Sequence, residues 1–177
     1  DSPDVPVTEI NSTQSENSIF IHPANVETVL NSNNSTPWPV SGIYGANDLY
    51  SFDGSETWGG EVEGAGGENS GDPTTAIGLN GRWYVNYISG PGGQGISYSD
   101  DEGESWTSRI IAPNPGQLAD KNHMWIDNSI DSDYEGNLYA AWTDFGGPSY
   151  GNIVLSYSTD DGVNWSEPVT YSFTIRP

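Results

Sequence analysis

The densest run of chemically capable side chains is Asp120-Lys121-Asn122-His123, with Asp127 close behind. It holds the only lysine of the chain and one of its two histidines. A lysine–carboxylate pair beside an imidazole can bind a uronate or a sulfate, or move a proton. A plain reading stands next to it: Asp120 caps its loop, Lys121 pairs with Asp120, and His123 is ordinary surface. Asp72, in "GDPTTA", is the other carboxylate in a comparable setting. Trp38 and Tyr150 lie in loops rich in glycine or proline, where an aromatic ring can stack on a sugar or simply pack.

A second group of carboxylates sits in "SYSDDEGESW", Ser97 to Trp106, and again in "SYSTDDGVNW", Ser156 to Trp165. These turns can be metal sites, catalytic clusters or structural devices. The structural reading is physically sufficient. A tight hairpin needs a residue at positive φ, which glycine supplies at little cost. An aspartate two places earlier can accept hydrogen bonds from the backbone of the turn, and a serine or threonine hydroxyl adds another. The tryptophan then folds back over the hairpin, where it should be largely buried. Asp100, Glu102, Glu104 and Asp161 are read as solvated. No cofactor is required. Calcium is the alternative, and "DSDYEGN", Asp131 to Asn137, is a place for it, although the spacing is not that of an EF-hand.

The elements that must position these groups are short. Twenty-two glycines and twelve prolines punctuate 177 residues, and seven Trp and ten Tyr supply much of the apolar surface. No stretch of helical length repeats apolar residues at helical spacing. Alternating runs recur instead, such as "RWYVNYIS", "GISYSD", "NLYAAWTD" and "IVLSYST", each bounded by Gly, Pro, Asn or Asp. This is an all-β pattern. The net charge of −21 argues against nucleic-acid binding, which needs cations to displace counterions, and against anionic membrane surfaces. No segment is apolar and long enough to insert in a membrane. Cysteine is absent, which excludes disulfides and thiol catalysis. No signal peptide is visible, and the acidic, Asn/Ser-rich composition suits a secreted or cell-surface protein.

The strands follow a repeating order: strand, glycine turn, aromatic strand, glycine-rich loop, strand, acidic turn, strand. The tryptophans that close the acidic turns are 48 residues apart, Trp58 to Trp106, and then 59, Trp106 to Trp165. A four-stranded unit recurring every 40 to 50 residues or so describes a β-propeller blade. The expected division is an extended lead-in over 1–17 and blades over about 18–62, 72–113 and 123–173. Propellers close with about four to eight blades, so the chain reads as the N-terminal part of a larger propeller. The alternative is that several copies form one ring.

Ser99-x-Asp101-x-Gly103-x-x-Trp106 and Ser158-x-Asp160-x-Gly162-x-x-Trp165 resemble the Asp-box repeats of the sialidase-like propeller superfamily. A third copy, Ser51-x-Asp53 to Trp58, departs from the pattern, with Gly54 one place early and Ser55 where glycine should stand. The resemblance implies that these boxes are structural and lie on the face opposite any active site. It also implies a glycan or polysaccharide partner and an enzyme of glycoside hydrolase or polysaccharide lyase type. A non-catalytic propeller that binds glycans or proteins is the alternative. Three arginines gripping a carboxylate, as sialidases require, are not in evidence. Arg82 and Arg109 lie on different strands and should not converge, so a typical sialidase is not expected. The opposite face would carry Trp38, Asp72, Asp120, Lys121, His123 and Tyr150.

Overall fold

The computed structural model describes residues 4–37, 42–67, 69–114, 118–147 and 149–171. Among these residues the chain is all strand and turn, without a helix. The first blade holds β1 (Ser12–His22), β2 (Asn25–Pro37) and β3 (Leu49–Ser51). Its fourth strand is reduced to a bridge between Tyr50 and Gly59. The second blade is β4 (Thr74–Ile77), β5 (Trp83–Ile88), β6 (Gly93–Ser99) and β7 (Thr107–Pro113). The third is β8 (Ala119–Ile126), β9 (Leu138–Asp144), β10 (Ile153–Ser158) and β11 (Val169–Tyr171). Every pairing is antiparallel between successive strands, as in the meander of a propeller blade. The fold is a partial β-propeller of about three blades, with β1, β4 and β8 innermost. β4 packs against both β1 and β8.

The first strand starts earlier than the sequence suggests. Ser12 to Ser15 pair with Pro37 to Asn34, so the second half of the expected lead-in is already strand. Nothing apolar marks it, because its side chains alternate between half-buried and exposed without entering the core. Periodicity in the second blade fails for the opposite reason. β4, β5 and β6 are buried along their whole length, since this blade is covered on both faces. One face contributes Ile77, Trp83, Val85 and Tyr87 to a core shared with Leu30 of the first blade. The other contributes Ala76, Tyr84, Ile96 and Tyr98 to a core shared with Met124, Leu138 and Trp142 of the third.

The three acidic turns are built alike. Ser99 Oγ donates to Asp101 Oδ1 (2.7 Å) and accepts from the Gly103 amide (2.9 Å). Asp101 Oδ1 accepts from the Ser105 amide (2.8 Å), and Oδ2 accepts from the Ser105 hydroxyl. The same bonds recur around Asp53 with Ser51, Ser55 and Thr57. They recur around Asp160 with Ser158, Gly162 and Asn164, whose side-chain amide replaces the hydroxyl. Two consecutive residues, not one, have positive φ: Gly54 and Ser55, Glu102 and Gly103, Asp161 and Gly162. This explains the irregular first copy. Gly54 relieves the first left-handed position, and Ser55 takes the second at a φ of 76°. Trp58, Trp106 and Trp165 are half-buried rather than largely buried. Trp106 and Trp165 pack against the two cores from their edges.

Candidate functional site

At the other end of the blades, the innermost strands bring three charged residues together. Lys121 Nζ lies 3.2 Å from Glu16 Oε1 and 3.4 Å from Asp72 Oδ2. One residue comes from β1, one from the turn entering β4 and one from β8, so each blade contributes. Asn34, on β2, locks the arrangement. Its Nδ2 donates to Glu16 Oε2 (2.8 Å), and its Oδ1 accepts from the Asp72 amide (2.8 Å). Asp120 stands behind Lys121 and accepts from the Lys121 amide at 2.8 Å.

Three of the six non-glycine residues with positive φ among the described residues meet at this point. Glu16, Asp72 and Lys121 all have left-handed φ, at 55°, 56° and 53°. None is a glycine, and such positions cost about 1 to 3 kcal/mol each unless the surroundings impose them. Two of the three sit in register shifts, between Ser15 and Ser18 on β1 and between Asp120 and His123 on β8. A bulge re-aims the side chain it carries. Here both bulges turn a charge toward the same cleft.

The cleft has a volume of about 430 Å³ and is lined by Glu16, Ser18, Asp72, Thr74, Lys121, Asn122 and His123, among others. Below it, buried amides join the second and third blades. Asn122 Nδ2 donates to Asn86 Oδ1 (2.8 Å), Asn86 donates to Gln94 (3.0 Å), and Gln94 donates to the Ala119 carbonyl (2.7 Å). Asn122 Oδ1 has no partner among the described residues, which is uncommon for a buried acceptor.

The carboxylates are pushed in opposite directions. Glu16 is lowered, chiefly by its hydrogen bond with the Asp72 side chain and then, against burial, by Lys121. Asp120 is raised, first by burial and then by the adjacent Asp72. Lys121 is raised by Glu16 and Asp72. A carboxyl raised in proton affinity beside one that is lowered is the arrangement acid–base chemistry uses. With all groups ionised, three carboxylates face one ammonium and the cluster keeps a negative excess.

The sequence-based candidates are therefore divided. Asp72, Asp120, Lys121 and His123 come together, with His123 exposed on the cleft wall. Lys121 pairs with Glu16 and Asp72, not with Asp120 as the plain reading has it, because the bulge carries its side chain across to the other blades. Tyr150 is 72% exposed in the loop between β9 and β10 and does not line the cleft. Trp38 lies outside the described residues. Glu16 and Asn34 were not legible as site residues, since both fall in polar runs without a motif. Arg82 and Arg109 form no joint site at the cleft. Both guanidinium groups lie over the Tyr98 ring, at 4.4 and 6.0 Å from its centroid. Neither reaches the cleft. Arg82 instead grips Asp100 with two bonds of 2.7 and 2.8 Å. Among the described residues, no group of three or more His, Asp or Glu is placed to hold a metal ion.

No protein-family model matches the chain, and no curated protein matches it. Solved structures do. A Dyadobacter fermentans protein of unknown function aligns over 93% of this chain and 52% of its own, with a TM-score of 0.64 and 16% identity. A GH62 hydrolase solved with xylotriose aligns over 89% of this chain and 50% of its own, with a TM-score of 0.57 and 13% identity. A Hadza microbial sialidase aligns over 93% of this chain and 35% of its own, with a TM-score of 0.57 and 15% identity. At such identities the likeness concerns the fold, which is shared with propeller-type glycoside hydrolases. The chain spans about half the length of the first two of these structures.

Proposed function

We propose that this chain is part of a carbohydrate-active propeller and that its glycan site is the cleft lined by Glu16, Asp72 and Lys121, with Asp120 next to Lys121. The observation that carries this reading is the convergence of one strained, charged residue from each blade, with neighbouring carboxyls pushed apart in proton affinity. In the proposed reaction Asp120 donates a proton to the leaving oxygen of a glycosidic bond. Glu16, held ionised, acts as the base or nucleophile on the other side. Asp72 and Lys121 set the charge of both. His123 and the unpaired Asn122 Oδ1 offer contacts to sugar hydroxyls.

The negative excess of the cluster favours a neutral glycan over a uronate or a sialoside, whose carboxylate would meet Glu16 and Asp72. Hydrolysis is accordingly a better fit than the lyase reaction, which acts beside a uronate carboxylate. The acidic turns support kinship with the Asp-box superfamily, in a structural role and on the face away from the cleft. We place the protein outside the cell or at its surface, on its acidic composition and on the extracellular setting of most glycan polymers. A non-catalytic glycan-binding propeller is the second reading, favoured by the exposure of Lys121 and Glu16.

The test is a panel of neutral and uronate-containing oligosaccharides, assayed for binding and for release of reducing ends, with Glu16→Gln and Asp120→Asn alongside. Hydrolysis of a neutral glycan that falls by about 10²-fold or more in either variant supports the enzyme. Binding without turnover, abolished by Lys121→Met, supports the second reading. Binding that ignores all three substitutions refutes the site.

A further inference from the structure

A second cavity lies between the second and third blades. It has a volume of about 270 Å³ and, among the described residues, shares no lining residue with the charged cleft. Its apolar lining comes from both blades. Pro113 ends β7 of the second, while Trp142 on β9, Val154 on β10 and Pro168 before β11 belong to the third. Trp142 and Val154 are buried. Asn114, Asp144 and Ser149 supply the polar lining. Asp144 pairs with Ala119, at the start of β8, so the cavity lies at the end of the blades that carries the cleft.

Asp144 is 5% exposed, and the loop after β9 is wound around its carboxylate. The Gly146 and Gly147 amides donate to Oδ1 (3.1 and 2.6 Å), and the Ser149 amide donates to Oδ2 (3.1 Å). Asn114 Nδ2 donates to Oδ1 from the other blade, at 3.4 Å. A Cβ at Gly147 would overlap the carboxylate, so only glycine lets the loop close on it. Burial alone would raise the pKa of Asp144, but the loop amides and Asn114 outweigh it and hold the group below the usual carboxylate range. Each oxygen of an ionised carboxylate can accept about two hydrogen bonds. Oδ2 accepts one among the described residues, from Ser149, so it has an acceptor site left to offer.

We infer that this cavity is a second sugar site, which takes a single neutral ring with its apolar face on the Trp142–Val154 wall and its hydroxyls on Asp144 and Asn114. That the ligand is a sugar rests on the carbohydrate-active reading of the chain; the place of the site does not depend on the cleft. An aromatic and aliphatic wall with a few convergent polar groups is the usual make-up of a small-molecule site. The volume lies just below the range of about 300 to 1,000 Å³ of drug-sized sites, which suits one ring and not a chain. The ionised Asp144 turns away uronates and sulfates. A cation gains little from it, because the loop amides and Asn114 already compensate its charge. What remains is a strong acceptor for a hydroxyl.

The probe is a set of neutral methyl glycosides, with methyl glucuronide as the charged control, titrated into the full chain labelled with fluorotryptophan. In fluorine NMR, the resonance that is missing from Trp142→Phe should shift saturably with at least one neutral glycoside and not with the glucuronide. Val154→Phe fills the cavity without touching its polar groups and should abolish the shift. Asn114→Ala should weaken binding by about two- to tenfold, the range that one hydrogen bond supplies. Glu16→Gln and Lys121→Met should leave the titration as it is. A Trp142 resonance that no neutral glycoside moves overturns the proposal, as does a shift that survives Val154→Phe or that the glucuronide matches. If Val154→Phe does not fold, unchanged affinity in Asn114→Ala is enough to reject the site. Loss of the shift in Glu16→Gln would make the cavity part of the cleft and overturn it as a separate site. The two readings fail apart. Glycan binding that depends on Glu16 while Trp142 stays silent removes this cavity alone, and a Trp142 shift in a chain whose cleft is inert removes the cleft alone.

Discussion

Trp106 Nε1 donates to Asp48 Oδ2 at 2.9 Å, across the boundary between the second and first blades. Asp48 is largely buried, and its other oxygen accepts from the Glu61 amide at 3.0 Å. Burial raises its pKa and outweighs these bonds. The tryptophan of an acidic turn therefore serves its neighbour as well as its own hairpin. Trp106→Phe should cost about 1 to 3 kcal/mol, the usual cost of leaving a buried polar group short of a partner. Asp48 has a raised folded-state pKa, so its contribution is fully present below the unfolded value and is lost as pH rises through the folded one. The deficit of Trp106→Phe should accordingly be larger at pH 7 than at pH 4, as read by chemical denaturation at both.

The acidic turns predict the opposite limb. Asp53 is lowered to about 2, first by the Thr57 hydroxyl. Asp101 and Asp160 are lowered by Ser105 and Asn164. Groups with depressed values stabilise the fold above the unfolded carboxylate pKa, near 4, and lose that effect as pH falls through the folded value. Thermal melts should show stability falling between about pH 4 and pH 2. Replacing Asp53, Asp101 and Asp160 by Asn should flatten that limb. An unchanged acid limb in the triple variant would mean that the turns do not depend on their carboxylates.

The turns are closed by their own hydrogen bonds, so chelation should leave the melting temperature unchanged. A fall with EDTA that calcium reverses would contradict this, and "DSDYEGN" would be the first place to look. Just before it, Asp127 already accepts from the Ser129 amide (2.9 Å) and the Ser132 hydroxyl (2.7 Å).

Lys121→Met removes the one cation from the candidate site. Lys121 is 65% exposed in its side chain, so the stability change should stay within about 1 kcal/mol. The pH dependence of glycan binding or turnover should move upward, because Glu16 and Asp120 would lose the charge that favours their ionised forms. A profile that does not move would separate Lys121 from the site.

Much of this was legible in the sequence. The turns could be read because each is a local device whose every bond falls within eight residues, so spacing alone reveals it. Blade number and strand order followed from the recurrence of those turns. The charged site was only half legible. Asp72, Asp120, Lys121 and His123 stood out by residue type. Glu16 did not, because the half of the strand that carries it, Ser12 to Ser18, is polar on both faces. The partners of Lys121 depend on two bulges that no pattern marks. The buried amides, Asn86 and Asn122, carry no mark of burial in sequence, since one stands in an aromatic strand and the other in a charged run. They are buried because Asn86 on β5 and Asn122 on β8 meet between the second and third blades.

The self-contained hairpin also has a consequence in time. A turn whose serine, aspartate and glycine satisfy one another needs no contact from elsewhere, and hairpins of this size form in about 1 to 10 μs. The contacts between blades join residues far apart in the chain, such as Asp48 with Trp106 and Asn80 with Asp161. These must wait for much longer loops to close. Each blade should therefore be nucleated at its rim and completed inward. The Glu16–Asp72–Lys121 cluster, which needs three blades in register at once, would be the last part of the molecule to form and the first to be lost on partial unfolding.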